Sequence, residues 1–501
     1  MPALALPVRP EAESFQEMLA EQIRRAPWLA LSAVAHALLL VLAWVLIPPA
    51  PPQAAPKAVA LAPIEDLTPP ETPEIIPPEP IVEPTPTEVE VREPTISEPS
   101  DAESLNDAVS DAPADSEATT EADVRNLTIG LFGPPPGGPK GTGRGVRGSK
   151  SGGPLSPIGP ALAWLAKHQD ADGRYDADGF MKHDVDGEPC DGVGNPVHDV
   201  GVTALALMAF VGDGNSMRSG PYRETVRRAV SWLKDQQGPD GRFGPGSSSD
   251  FIYDHAIAAY AMCEAYGYSQ YKVLAPVAQR GIDYLQAHRN PYGAWRYQPR
   301  DGDNDTSVTC WAIMALSSAQ HWGLTVDRAA LQAAEVFLDS CTSADGHLGY
   351  SRAGEASARK PGDHGARFPV DKTEALTAAG LFCRFFLGQD PKEQPCMRAA
   401  VDRILAKKPS WDAKSGSIDH YYWYYASYAL YQMGGRAWSE WSKALDLAVV
   451  KTQRKDGNFA GSWDPSGAWG EDGGRVYSTA ILALTLEAYY RYGRLVPLAG
   501  R

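Results

Sequence analysis

Cysteine is scarce in this 501-residue chain. The six present lie between Cys190 and Cys396 with no tight CxxC pair, which excludes a zinc ribbon, a knuckle or a thioredoxin-type dithiol. A basic surplus is also missing. The net charge is −16, and 18 acids against three bases between residues 49 and 132 supply nearly all of it. The remainder is close to neutral, so nothing points to nucleic acid as a partner. No segment sustains a period-two alternation of apolar and polar residues, which argues against a sheet. The first 153 residues are mostly of low complexity, which leaves about 350 to bury a core.

One long apolar run stands out. Residues 28–47, WLALSAVAHALLLVLAWVLI, contain no Asp, Glu, Lys or Arg, and 20 helical residues span roughly 30 Å, the thickness of a bilayer core. The run follows 27 residues and exits into Pro48-Pro49, which predicts an uncleaved anchor rather than a signal peptide. Arg24 and Arg25 precede it and only Lys57 follows within 20 residues, placing the N-terminus in the cytoplasm and the rest outside. Ser32 and His36 share one face of this helix, and an intramembrane His is a functional candidate. Residues 49–100 are rich in Pro and Glu, a composition that favours extended polyproline II. Residues 101–123 read as disordered. Residues 133–153 read as a Gly-rich basic hinge with Lys140, Arg144, Arg147 and Lys150.

The anchor with Ser32 and His36, followed by PPETPEIIPPEPIVEPTPTEVEVREP (69–94), resembles the N-terminal third of TonB-type energy transducers. The resemblance implies docking on an ExbB/ExbD-type proton-channel complex, with His36 needed for coupling. It also implies a bacterial inner-membrane location with the C-terminal domain in the periplasm. The receptor-gripping C-terminal domain of that family has no visible counterpart.

After residue 157 a pattern recurs: an amphipathic helix, then Gln-x-x-Asp-Gly-x-aromatic. It occurs at Gln169 to Tyr175, Gln237 to Phe243 and Gln453 to Phe459, with weaker copies around Gly293, Gly346 and Trp411 to Gly416. Asp-Gly supplies the positive φ of a tight turn, and the aromatic closes over it. Each copy precedes a second helix of small, apolar residues, such as GVTALALMAF (201–210) and HYYWYYASYAL (420–430). A helix with no polar face is buried on all sides. Six such helices alternating with six amphipathic ones predict an all-α toroid of six hairpins in two concentric rings. Gly201, Thr306, Thr373, Tyr421 and Ser478 fall on its inner helices. The expected organisation is a cytoplasmic segment (1–27), a transmembrane helix (28–48), a disordered linker (49–153) and a toroid domain (154–501).

The repeat resembles that of the prenyltransferase/squalene-cyclase family, which includes terpene cyclases and protein prenyltransferase β subunits. The cyclases protonate an alkene with Asp-x-Asp-Asp-Thr. Aligned on Asp305-Thr306, the proton-donor position holds Asn304 and the first Asp is Gly302, and an amide does not protonate carbon. The protein prenyltransferases hold zinc with Asp-x-Cys and a His at inner-helix starts. Here Asp339-Ser340-Cys341 ends an outer-type helix, and Asp419-His420-Tyr421 has Tyr where the Cys belongs. No metal or cofactor is therefore expected.

What remains is a ring of acids and imidazoles at inner-helix starts: His198-Asp199, Asp254-His255, Asp305, Asp371 and Asp419-His420. Such groups cap helices, or act as acids and bases. Asp254, His255, Asp305, Asp419 and His420 are the catalytic candidates. His198, Asp199 and Asp371, with Tyr421, Tyr424, Tyr425 and Tyr428 on one helix face, are the candidates to line a cavity. Cys263, Cys310 and Cys383 read as packed thiols, while Cys190, Cys341 and Cys396 lie near loops where pairing is open. Two functions fit. One is a membrane-tethered, non-catalytic toroid that binds a glycan, lipid or protein and is coupled to a proton channel. The other is an enzyme of the cyclase, prenyltransferase or glycan-processing class.

Overall fold

The computed structural model describes residues 157–491, except 249, 292, 358, 361 and 490. The predicted anchor with Ser32 and His36, and the linker, lie outside the described residues. Among those described, no helix is long and apolar enough to cross a membrane, and no strand forms beyond two isolated bridges, Gln237–Phe243 and Thr342–Leu348.

Among the described residues thirteen α-helices follow one another. They are α1 (Ile158–Lys167), α2 (Asp199–Gly212), α3 (Arg223–Asp235), α4 (Phe251–Ser269), α5 (Ala275–His288), α6 (Thr306–His321) and α7 (Arg328–Cys341). After the short α8 (Asp363–Arg367) come α9 (Ala375–Phe386), α10 (Pro395–Ala406), α11 (His420–Met433), α12 (Gly435–Leu445) and α13 (Gly470–Leu486). Helices α2, α4, α6, α9, α11 and α13 each pack on the next, and α13 packs back on α2, so the inner ring closes. The other long helices form the outer ring, giving the all-helical α/α toroid that the repeat predicts.

The two rings differ in sequence as their burial requires. Every residue of α2 is buried, and its Gly and Ala positions let neighbouring helices approach closely. In α3 only Thr225, Val226, Ala229, Val230 and Leu233 are buried, a single stripe at helical spacing. Thr373 falls two residues outside its expected helix, because α9 starts at Ala375. Each outer helix packs chiefly on the inner helix before it, and α1 packs on α13. The first outer helix therefore seals the ring.

The repeated turn explains its own residues. The side-chain amides of Gln169, Gln237 and Gln453 donate to a carbonyl of their own turn (Gly173, Gly241, Gly461) and to one at the start of the next outer helix (Thr225, Val277, Pro157). Gly173 has φ +104°, and a Cβ there would lie 2.2 Å from the Arg228 carbonyl, so only glycine fits. In the third copy this place belongs to Gly461 rather than Gly457, because the turn is longer.

All six cysteines are free. Cys263, Cys310 and Cys383 are buried in inner helices as packed thiols, and the pairing left open for Cys190, Cys341 and Cys396 does not occur.

Candidate functional site

A second regularity positions the site. After five of the six turns a backbone N–H donates to one inner-helix side chain. Tyr175 N donates to Thr203, Trp295 N to Thr309, Leu348 N to Thr377 and Trp463 N to Thr479. In α4 the acceptor is the Nδ1 of His255, 3.1 Å from Phe243 N. His255 thus stands where other repeats have Thr. Its Nε2 lies 3.1 Å from the Gly281 carbonyl, and burial drives its pKa down to about 3. It is a neutral structural group, not the acid or base the sequence suggested.

Two residues before that acceptor, each inner helix presents one residue to the ring axis. These are Gly201, Tyr253, Ser307, Ala375 and Tyr477, with Tyr421 at the matching place in α11, and all six line one cavity of about 430 Å³. That volume falls within the usual range of small-molecule sites, ~300–1,000 Å³. One turn deeper stand Leu205, Ile257, Trp311 and Ile481, with Val202 and Leu376 beside them. Gly201, Ser307 and Ala375 are small, and the space opens over them. The Tyr421 hydroxyl lies 3.0 Å from Ser307 Oγ, reaching from α11 across to α6.

The mouth is polar. His198 Nδ1 lies 3.1 Å from Asp254 Oδ2, and its Nε2 lies 3.8 Å from Asp250 Oδ2. Burial works to depress the His198 pKa, but the Asp254 hydrogen bond and the Asp254 and Asp250 charges outweigh it, so the net shift is upward. Burial raises the Asp254 pKa against the pull of His198. On the far side, Tyr350 donates to Asp305 at 3.1 Å and lies 2.8 Å from the Tyr297 hydroxyl. The loop before α8 adds Arg359, which donates to Asp419 at 2.6 Å and sits over the Trp469 ring. Lys360 pairs with Asp472 at the start of α13.

The inner-helix starts converge as expected, but only part of the predicted ring faces the cavity. His198, Asp254 and Tyr421 line it. Asp199 turns away to accept from Ala177 N at 2.9 Å and from Arg174 at 3.1 Å, and burial pushes its pKa up to about 6. Asp305 caps α6 through Val308 N at 2.8 Å and touches the cavity only through Tyr350; burial raises it to about 6. Asp419 caps α11 through Tyr422 N at 3.0 Å and anchors Arg359. Asp371 is exposed beside Lys372, in a short turn before α9, away from the cavity.

His420 stacks on Trp411 at 5.3 Å, outside the cavity, and burial lowers its pKa to about 4. Tyr424, Tyr425 and Tyr428 are buried in helix–helix contacts. Tyr424 stacks on Trp311, Tyr425 meets Trp311 edge-on, and Tyr428 donates to the Leu484 carbonyl at 2.6 Å. An inner helix has neighbours on every side, so an aromatic face need not be a cavity wall. Sequence reading missed Tyr253, Tyr297, Trp311, Tyr350, Arg359, Trp469 and Tyr477. The signal available for Tyr253 and Tyr477 was their register two residues before His255 and Thr479.

No curated protein matches this sequence. Among solved structures, the chain is similar to the α-1,6-mannanase of Salegentibacter sp. HEL1_6, with 10% identity, a TM-score of 0.46, and 67% of this chain and 99% of that one covered. It is also similar to a type II terpene cyclase from Scytonema (15%, TM-score 0.43, 68% and 99% covered). A third is the cellobiose 2-epimerase of Bacillus thermoamylovorans (14%, TM-score 0.46, 66% and 98% covered). Residues 202–360, from α2 to the loop before α8, match the family model of the prenyltransferase alpha-alpha toroid domain.

Proposed function

We propose that the toroid binds an amphipathic small molecule, its apolar body inside the ring and its polar end at the mouth. The observation that carries this is the layering of one cavity. The deeper layer is Leu205, Ile257, Trp311 and Ile481, while His198, Asp254, Arg359 and Lys360 gather at the entrance. Apolar burial supplies affinity at ~25 cal/mol per Å², and the few polar groups at the rim fix orientation. A glycan would need polar partners along its whole length, which the deep layer does not offer.

A proton-transfer enzyme acting on the polar end of the same ligand is the second reading. The His198–Asp254 pair favours it, because Nδ1 engages the carboxylate and leaves Nε2 on the side of Asp250 and the cavity. The cyclase chemistry of the resembled family is not part of this proposal, since Asn304 instead accepts from Ala294 N at 2.7 Å.

We further propose that the toroid is tethered at the inner membrane, facing the periplasm, and is coupled through Ser32 and His36 to an ExbB/ExbD-type proton channel. The charge-free run 28–47, Arg24 and Arg25, and the Pro-Glu linker support this reading. Stoichiometric polytopic partners should co-purify with the full-length chain and be lost in His36→Leu; a chain that purifies alone contradicts the coupling.

The ligand reading is tested by mass spectrometry of small molecules extracted from full-length protein. An amphipathic compound should accompany the wild type and be missing from Ala375→Trp, which fills the cavity. Tryptophan fluorescence should respond to farnesol and not to mannotriose. A response to the sugar alone would overturn the reading.

A further inference from the structure

We propose that His168, Asp184 and Cys190 form a zinc site that locks the seam where the ring closes. One ligand atom from each lies within 4.8 Å of the other two, and none of the three lines the cavity. An imidazole nitrogen, a carboxylate oxygen and a thiolate are the donors zinc prefers.

The geometry of His168 is that of a prepared ligand. It stacks on Trp164 with ring centroids 4.0 Å apart. Its Nδ1 donates to the Trp164 carbonyl at 2.8 Å, so Nε2, which meets Asp184 at 3.0 Å, is the nitrogen whose proton a metal would replace. A carbonyl behind the ring is the usual support for a metal-binding His. Asp184 Oδ2 in turn accepts from the Cys190 backbone N at 2.6 Å, holding the cysteine in place.

Charge gives the second argument. Asp170 and Asp176 nearby are each paired with Lys182 and Arg174. The Asp184 side chain is only 6% exposed, and among the described residues it has no Lys or Arg partner, only His168. Its negative charge rests on the His168 ring and the Cys190 backbone N–H, with no permanently charged side chain beside it among the described residues. A divalent cation satisfies it. Binding releases to solvent the Cys190 thiol proton and the proton on His168 Nε2, and Zn²⁺ with one thiolate, one carboxylate and a neutral imidazole is neutral. Water on the Asp184 side completes a tetrahedron.

The position gives the site a role. Residues 169–195 contain no α-helix, and a stretch of that length inside a folded domain is uncommon without a staple or a function. Asn458, in the last repeat turn, donates to the carbonyls of Val185 and Glu188, while Trp164 donates to the Asn458 carbonyl. A metal joining His168 to residues 184 and 190 therefore ties the first outer helix to the last turn of the toroid.

The test uses full-length protein purified without a histidine tag or chelator. Elemental analysis should find one zinc per chain, and chelation should lower the melting temperature. Cobalt added to the stripped protein should give a thiolate charge-transfer band. Cys190→Ser should abolish that band, and zinc affinity should fall tenfold or more in Asp184→Asn, with helical circular dichroism confirming that both variants fold. Folded wild type that carries no zinc and shows no cobalt–thiolate band overturns the proposal and leaves a hydrogen-bonded triad.

Discussion

The two ends of the inner ring are built on opposite principles. At the end where the helices start, small residues on α2, α6 and α9 leave a cavity, and polar side chains surround it without filling it. At the end where they finish, the space is closed by fully buried charge. Arg491 donates to Glu487 at 2.7 Å and to the Met208 carbonyl at 2.8 Å, and lies 3.7 Å from Glu264. Ser318 donates to Glu264 at 2.7 Å. Two carboxylates share one guanidinium there, and burial pushes Glu487 up to about 8. Charged residues thus mark both ends, and their surroundings separate them. Those facing space are positioned for a ligand, and those facing one another hold the ring shut.

The largest expected effect breaks the closed end. Arg491→Ala removes the cation that the two buried carboxyl groups share, and removing one partner of a buried ion cluster costs about 3–5 kcal/mol. Urea unfolding should show that loss. At the mouth, Ala375→Trp should reduce ligand binding tenfold or more, while stability falls by only about 1–3 kcal/mol, the usual cost of overpacking. A variant pair that behaved the other way round would break the comparison.

A smaller change sharpens it. In Gly201→Ala the new Cβ would lie 2.2 Å from Asp254 Oδ1, so the carboxylate must move away from His198. The His198 pKa should then fall toward its ordinary value, as followed by NMR titration, with little change in unfolding. The smallest effect is a pH dependence. Because the folded pKa of His198 is raised, its stabilisation is full below the unfolded value of ~6.5 and is lost as pH rises through the folded value. The stability gap between wild type and His198→Gln should therefore be widest at mildly acidic pH and close as the solution becomes alkaline.

The fold was legible because its signals are local and repeated. Gln169, Gln237 and Gln453 report the turn, and the apolar helices report the inner ring. The site was legible only where chemistry and register coincide. His198 and Asp254 were found as polar residues at helix starts, but so were Asp199, His255 and His420, which face the protein. Whether a polar residue at a helix start meets space or a neighbour depends on residues distant in sequence. His255 is taken by the Phe243 turn, and His420 is covered by Trp411. Arg359 and Tyr350 come from loops with no periodicity to read. Repeat register, with Gly201, Tyr253, Ser307, Ala375, Tyr421 and Tyr477 at equivalent places, carries more information about the cavity than residue type does.

The most direct test of the claim that the mouth is the binding end is position-specific photocrosslinking. A diazirine amino acid replaces either Leu376, which lines the cavity, or Leu484, near the end of α13. The full-length protein is irradiated with its co-purified small molecules. The account predicts an amphipathic adduct at position 376 and none at 484. Capture confined to 484, or equal capture at both, would contradict it.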